Sequence, residues 1–278
     1  MENGLYIVAT PIGNLSDISF RATEVLKEAE IIACEDTRVT KKLFALLRID
    51  NDKKFISYHD HNEEECSPQI VQLLQDGKMV ALVSDAGSPL ISDPGYKLVK
   101  KCRDLNIKVF AVPGASAVIC ALQISGLPTN RFMFAGFVPN KDSAREKLFA
   151  ELKNIDTTLI FYETAPRILK TLPVMQKYFG TREIAIAREI TKIYEECKNG
   201  TAVELIDYYT EHQPKGECVI MVAPSQEKEV LPQNELEIRI KSALLTASLK
   251  DVAKSLSIEL NMNKNEIYQM GLKIKNEL

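Results

Sequence analysis

The chain reads as an α/β protein: two α/β units with a ligand cleft between them, followed by a small helical region. Three observations carry this. Short runs rich in Ile, Val, Leu and Phe alternate with helix-period segments, which is the pattern of a parallel sheet covered on both faces. Three of the early runs stop abruptly in clusters of small, polar and turn-forming residues. The last stretch, residues 234–278, holds three helical patterns and no strand.

Taken in order, residues 4–10, 31–34, 54–58, 79–83 and 108–112 are expected strands. Helical patterns lie between them near 19–29, 39–47, 63–76 and 94–105, with another at 116–125. Residues 109–127 carry no charge and approach the length of a membrane span. Pro113-Gly114 breaks that run, and Ser116, Gln123 and Ser125 dilute it, so a strand, a turn and a buried helix are expected there. Gly126-Leu127-Pro128-Thr129-Asn130 marks a boundary, which places a first unit at 1–127 and a second at 128–223. The second unit is expected to hold a mixed sheet, with strands near 131–136, 157–163, 183–187, 193–198 and 216–223. Its helices are expected near 144–152, 166–179 and 201–211. Residues 224–233, polar and bracketed by prolines, read as a linker to the 234–278 tail.

The strand-end loops point to a ligand. Residues 4–10 run into Pro11-Ile12-Gly13-Asn14. The 79–83 run ends in Ser84-Asp85-Ala86-Gly87-Ser88-Pro89, and the 108–112 run in Pro113-Gly114-Ala115-Ser116. Small residues at the carboxyl ends of buried strands let a ligand approach the backbone. No two of the 12 glycines lie within two positions of each other, so the G-x-G of a dinucleotide fingerprint is absent. No G-x-x-x-x-G-K-[ST] occurs either. A compact ligand held by isolated backbone groups fits these loops better than a pyrophosphate cradle does.

Bulk properties describe an ordinary cytoplasmic protein. A length of 278 residues suits two units at roughly 150 residues each. The six cysteines include no C-x-x-C pair and are expected as small buried hydrophobes. Met1-Glu2-Asn3-Gly4 has no basic region, so a signal peptide is not expected. A net charge of −3 does not predict nucleic-acid binding by itself. Local basic stretches occur at Lys41, Lys42, Arg48, Lys53 and Lys54, and at Lys141, Arg145, Lys147 and Lys153.

Specific motifs then narrow the field. Leu5-Tyr6-Ile7-Val8-Ala9-Thr10-Pro11-Ile12-Gly13-Asn14-Leu15, Glu35-Asp36-Thr37-Arg38, Tyr58-His59-Asp60-His61-Asn62 and residues 83–94 resemble the bacterial ribosomal RNA small subunit methyltransferase I family. So do Pro113-Gly114, Gly126-Leu127-Pro128, Arg131-Phe132 with Gly136-Phe137, Phe161-Tyr162-Glu163 and Ala187-Arg188-Glu189. The resemblance runs in order from about residue 4 to 223. It implies a tetrapyrrole-methylase-like fold, S-adenosylmethionine as cofactor, and no metal. It also implies 2′-O-methylation of a cytidine ribose in the decoding region of 16S RNA within the small ribosomal subunit. A homodimer is implied too, with neither membrane nor DNA as partner. The wider class often carries G-x-G-P-G in the first loop; Pro11-Ile12-Gly13-Asn14 is the form of the ribosomal branch.

Within this frame the three loops, from Pro11 to Asn14, Ser84 to Pro89 and Pro113 to Ser116, are the expected cofactor contacts on one wall. Phe161, Tyr162, Ala187, Arg188, Gly216 and Glu217 are expected on the other, with Phe161 or Tyr162 packing on an adenine face. A ribose hydroxyl is a poor acid, so a base beside it is needed. Asp36 and Arg38 follow the second strand, His59 and His61 the third, and Glu163 ends a strand of the second unit. Asp36, His59, His61 and Glu163 all stand as candidate bases, and Arg38 as a phosphate contact. His59-Asp60-His61 lacks a third metal ligand in register, and its imidazoles also suit capping of the next helix.

Two other readings remain open at this level. One is a small-molecule methylase of the same fold acting on a tetrapyrrole precursor. The other is a non-enzymatic nucleic-acid-binding protein resting on the tail. There residues 246–253 followed by 262–268 resemble a helix-turn-helix, with Ser248 and Asn263 as caps. The nearly balanced charges of the tail weigh against DNA.

Overall fold

The computed structural model describes residues 1–225, 233–260 and 262–276. Five strands, β1 (Leu5–Val8), β2 (Ile31–Cys34), β3 (Lys54–Ser57), β4 (Val80–Val83) and β5 (Val109–Val112), form a wholly parallel sheet in the order β3-β2-β4-β1-β5. Between them run α1 (Phe20–Glu28), α2 (Thr37–Leu46), α3 (Glu63–Gln75) and α4 (Tyr96–Asp104). The near-continuous apolar composition of β1, β2 and β4 follows from burial on both faces. Tyr6, Val8, Ile32 and Cys34 pack on one face with Val25 and Leu26 of α1 and Phe44 of α2. Leu5, Ile31 and Ala33 pack on the other with Ile70 of α3 and Leu98 of α4.

This arrangement sets the position of the site. β1 and β4 are neighbours, yet β1 sends α1 to one face of the sheet and β4 sends α4 to the other. The loops leaving these two strands diverge, and a crevice opens at their carboxyl ends.

The second sheet holds β6 (Phe132–Phe137), β7 (Thr158–Thr164), β8 (Ile184–Arg188), β9 (Glu196–Gly200) and β10 (Glu217–Val222), in the order β6-β7-β10-β8-β9. Only β6 and β7 are parallel; every other pair is antiparallel. α6 (Asp142–Leu152), α7 (Ile168–Phe179) and α8 (Ala202–Glu211) cover its outer face through Phe149, Leu172, Met175 and Leu205. A capping box between Thr201 and Glu204 starts α8. The inner face receives α5 (Ala117–Ile124), which leaves β5 of the first sheet and places Val118, Ala121 and Leu122 against Ile160, Ala187 and Val219. That helix is the packed joint between the two sheets.

One strand differs from expectation. β9 begins at Glu196 instead of residue 193, because Ile193 and Tyr194 occupy an exposed turn between β8 and β9. Their β-branched and aromatic composition imitates a strand. All six cysteines are free; Cys34, Cys102 and Cys218 are buried.

Of the expected linker, residues 226–232 lie outside the described residues. Beyond it, α9 (Gln233–Leu244), α10 (Leu249–Glu259) and α11 (Lys264–Asn276) enclose a separate small core of Leu236, Ile240, Val252, Leu256 and Ile267. Ser248 caps α10 by accepting the Asp251 N–H, and Asn263 Oδ1 accepts the Asn265 N–H at the start of α11. Among the described residues no helix is long and apolar enough to cross a membrane.

Candidate active site

The crevice at the strand ends opens into a cavity of about 420 Å³ between the two sheets. The first sheet contributes Ile12, Glu35, the 85–88 loop and Asp93; the second contributes Phe137, Tyr162, Ile190 and Glu217. Ser116 and Ala117, at the start of α5, complete it. The volume lies in the range of small-molecule sites.

The loops are tied together by their backbones. Thr10 and Gly87 form an isolated bridge, with N–H···O bonds of 2.8 and 3.1 Å in the two directions. Gly87 holds φ at +85°, a conformation that disfavours any side chain, and a Cβ there would lie 3.2 Å from Ile12 Cγ2. Gly114 packs so closely on Ala9 that an added Cβ would come within 2.9 Å of the alanine Cβ. Ser88 Oγ donates to the Ala115 carbonyl at 3.2 Å, joining the second and third loops. Of the expected cofactor contacts on this wall, Ile12, Asp85, Ala86, Gly87, Ser88 and Ser116 line the cavity. Pro11, Gly13 and Ser84 line an adjoining groove. Pro89 is buried, Asn14 caps a short helical turn at 15–17, Gly114 packs on Ala9, Ala115 accepts from Ser88, and Pro113 is exposed and lines neither cavity.

An acidic cluster faces this cavity. Burial raises the Asp93 carboxyl to about 6, reinforced by the negative charges of Glu35, Asp85 and Asp60 and partly offset by a hydrogen bond from Ser84. Glu35 and Asp85 are raised for the same first reason, burial, and each by neighbouring carboxylates. The site therefore presents an unsatisfied demand for positive charge.

The second wall follows the period-two rule of a strand. Ile160 and Tyr162 face the joint and the cavity, whereas Phe161 faces the covering helices; Glu163 borders the cavity too, but its carboxylate is turned to the helix side, toward Thr171 and Arg167. Tyr162 is packed edge-on by Phe134 and Phe137, with ring centroids 4.8 and 5.2 Å away. Burial, with Asp93 and Glu217 nearby, lifts its phenol to about 12. A bulge between Phe134 and Phe137, carrying Gly136 at φ +73°, turns both rings onto the same tyrosine.

Phe161 is fully buried among Phe149, Leu159 and Ile220, and so belongs to the core of the outer face. Ala187 is buried against α5. Arg188 lies on the helix side and pairs with Glu196, and Gly216 does not line the cavity but packs against Glu189, which does. Glu163 is spoken for: Oε1 accepts the Thr164 N–H at 2.8 Å and lies 3.2 Å from Arg167 Nε, while Oε2 accepts the Thr171 hydroxyl at 2.6 Å. With its side chain wholly buried, it anchors α7 and is not free to take a proton from a substrate. Replacing Glu163 by Ala strands these donors, so the melting midpoint is expected to fall by an amount worth about 1–3 kcal/mol. Ligand affinity of the folded protein should stay unchanged in calorimetry.

The remaining candidates gather at a shallower cavity that shares Glu35 and Asp85 with the first and is lined by Asp36, Arg38, His59 and His61. Asp36 accepts the Arg38 N–H at 2.8 Å as the cap of α2 and binds the Arg38 guanidinium in two-point fashion. Those bonds hold its carboxyl at about 2, which makes it a weak proton acceptor at neutral pH. The Asp36 N–H donates to Asp85 Oδ1 at 3.1 Å, linking the two cavities. His59 is fixed through its main chain, with its N–H on Asn62 Oδ1 at 2.9 Å and its carbonyl accepting from Asn62 and Glu63. So the backbone and Asn62 organise the start of α3, and the imidazoles do not cap it. His59 Nδ1 is buried without a hydrogen-bond partner. Among the described residues no three His, Cys, Asp or Glu side chains are placed to hold a metal ion.

Sequence reasoning did not single out Asp93, Glu35, Phe137 or Lys192 as site residues, yet all four line the main cavity. The available signal was the second half of the central loop, Ser92-Asp93-Pro94-Gly95, where an acid stands among turn residues just before a helix.

Comparisons with known proteins bear on the family and the fold. The family model described as Tetrapyrrole (Corrin/Porphyrin) Methylases matches residues 4–206. The Ribosomal RNA small subunit methyltransferase I of Rickettsia prowazekii (strain Madrid E) is 43% identical over 278 residues, covering 99% of this chain and 98% of the relative. The protein of the same description from Erythrobacter litoralis (strain HTCC2594) is 45% identical over 276 residues, covering 99% and 96%. A solved diphthine synthase shares the fold, with a TM-score of 0.62 at 16% identity, over 79% of this chain and 89% of that one. With a parallel sheet, a mixed sheet and an open cavity at their junction, this chain belongs to the ribosomal RNA small subunit methyltransferase I family of the tetrapyrrole methylases.

Proposed function

We propose that the chain transfers a methyl group from S-adenosylmethionine to the ribose 2′-hydroxyl of a cytidine in the decoding region of 16S ribosomal RNA. The observation carrying this reading is the inter-sheet cavity, acid-rich and aromatic-walled, continuous with a rim that bears Arg38 and His59. The cavity fits the cofactor by chemistry: Glu35, Asp85 and Asp93 complement a cationic ligand, and the 86–88 backbone admits a close approach. Tyr162 and Phe137 supply flat apolar surface for an adenine. When bound, S-adenosylmethionine supplies an activated sulfonium methyl.

The chain's own residues do the rest by positioning and proton removal. Asp93 is the group best suited to accept the ribose proton, since its carboxyl titrates near the working pH while Asp36 and Glu163 are held by partners. Arg38, with its side chain largely exposed, meets an RNA phosphate at the rim. The relatives named for the small subunit, at 43–45% identity over nearly the whole chain, support RNA as substrate and a cytoplasmic site of action. The family resemblance adds a homodimer.

The deciding experiment is incubation with labelled S-adenosylmethionine and small subunits from a strain lacking the enzyme, followed by mapping of the label. One 2′-O-methylated cytidine in the decoding region is expected, and an unlabelled subunit would end the reading. Replacing Asp36, Arg38 or His59 by Ala should leave cofactor affinity within a few-fold but depress methylation. Arg38→Ala should also reduce the salt slope of subunit binding by about one. Wild-type rates from all three variants would remove the shallow cavity from the substrate path.

A further inference from the structure

The turn between β8 and β9 is built unlike an idle loop. Its tip carries Ile193, 90% exposed, and Tyr194, 72% exposed, side by side in water. Its base is braced. Glu195 Oε2 accepts the Thr191 N–H at 2.6 Å, and Lys192 Nζ pairs with Glu189 at 2.9 Å. The Lys192 and Glu195 N–H groups close turns on Glu189 and Lys192, at 3.0 and 3.1 Å. Glu189 and Thr191 both hold positive φ, +50° and +66°, and for the β-branched threonine this is a costly conformation. Two strained residues and four bonds hold an aromatic ring out into solvent.

The base of this turn also stands at the mouth of the site. Glu189, Ile190 and Lys192 line the main cavity, and Lys192 packs over Gly13 of the first loop. On the far side of Gly13 runs a groove of about 240 Å³, lined by Val39, Lys42 and Leu46 of α2 and sharing Asp85 with the main cavity. Lys42 has no ion-pair partner among the described residues. Arg38 projects from the same helix with its side chain 89% exposed. An exposed ring on a turn whose base lines the cleft, with Lys42 and Arg38 on the helix that borders the groove across Gly13, matches an unstacked nucleotide strand, whose bases offer π-faces and whose phosphates seek positive charge.

We propose that Tyr194 stacks on a base of the substrate RNA at the cleft mouth, while Lys42 in the adjoining groove meets a flanking phosphate. This rests on the RNA reading above and adds to it a substrate-contacting residue on the second sheet. The ring's work is done by its face, so the hydroxyl is dispensable.

The test compares Tyr194→Ala, Tyr194→Phe and Lys42→Ala with wild type. The measurements are small-subunit binding at several salt concentrations, kcat and KM for methylation, cofactor affinity, and mass by light scattering. Tyr194→Ala is expected to weaken subunit binding roughly tenfold or more, about 1.4 kcal/mol, with an unchanged salt slope and unchanged cofactor affinity. Tyr194→Phe should bind like wild type. Lys42→Ala should reduce the salt slope by about one. Since Tyr194 is mostly exposed, the variants should melt like wild type.

Wild-type subunit affinity in Tyr194→Ala overturns the stacking role, as does a Tyr194→Phe variant as weak as Tyr194→Ala. A fall in molecular mass for Tyr194→Ala would make the tip a contact between copies of the chain and overturn it likewise. If wild-type protein leaves the subunit unlabelled, the RNA reading fails and this inference falls with it.

Discussion

Replacing Asp93 by Asn is expected to cut methyl transfer by about 10²–10⁴-fold while making the protein more stable at neutral pH. Both effects come from one cause. Burial and the charges of Glu35, Asp85 and Asp60 raise the carboxyl to about 6, whereas in an unfolded chain it returns to about 3.9. The folded state thus favours the protonated form. The stability this group lends is fully present below pH ~4 and is lost as pH rises through about 6. Asparagine imitates the protonated form at every pH. Its melting midpoint should therefore exceed wild type at pH 7 and converge with it below pH ~4. The rate runs the other way, because only the carboxylate accepts a proton. Wild-type kcat/KM should rise with pH through about 6, and the variant should lose that limb. An Asp93→Asn enzyme that methylates at wild-type rate would return the base to the rim, where His59 keeps an unpartnered ring nitrogen.

Replacing Gly87 by Val is expected to lower cofactor affinity tenfold or more, about 1.4 kcal/mol. The backbone there sits at φ +85°, which a β-branched residue adopts only under strain. The first atom of any side chain would already press on Ile12 at 3.2 Å, and Ile12 itself lines the cavity. The bridge between Gly87 and Thr10 carries the disturbance into the first loop. Circular dichroism should still report a folded protein, because the glycine lies beyond the end of β4 and outside the sheet. Unchanged affinity in calorimetry would take the central loop out of the binding site.

Much of the architecture was legible because burial leaves a local mark. The inner strands of the first sheet, β2, β4 and β1, are covered on both faces and read as unbroken apolar runs; 31–34 and the strand ending at Val83 match their observed bounds closely. Helix starts were legible where a side chain closes them, as at Ser248. Ile193 and Tyr194 misled for the opposite reason. Composition registers that a residue favours a pleated, half-buried surface, and says nothing of whether a neighbouring strand is there to bury it.

The candidate site divides along the same line. That small residues end three strands, and that the loops after β1 and β4 belong to one crevice, follows from the sequence pattern together with the rule for neighbouring parallel strands. Which face of β7 meets the crevice does not follow. Phe161 and Tyr162 are both aromatic and adjacent; only α5 on one face and α6 to α8 on the other make the tyrosine a wall and the phenylalanine core. The protonation of the site was equally hidden. Asp36, Glu163 and Asp93 are alike as letters. A carboxylate's proton affinity is set by what surrounds it: Arg38 for the first, Thr171 and Arg167 for the second, and for the third burial among charges of its own sign. Sequence alone determined the alternation that builds the two sheets and the loops that open between them. Tertiary packing decided which side chains enter that opening and which of them can take a proton, because facing and electrostatic environment arise from neighbours far apart in the chain.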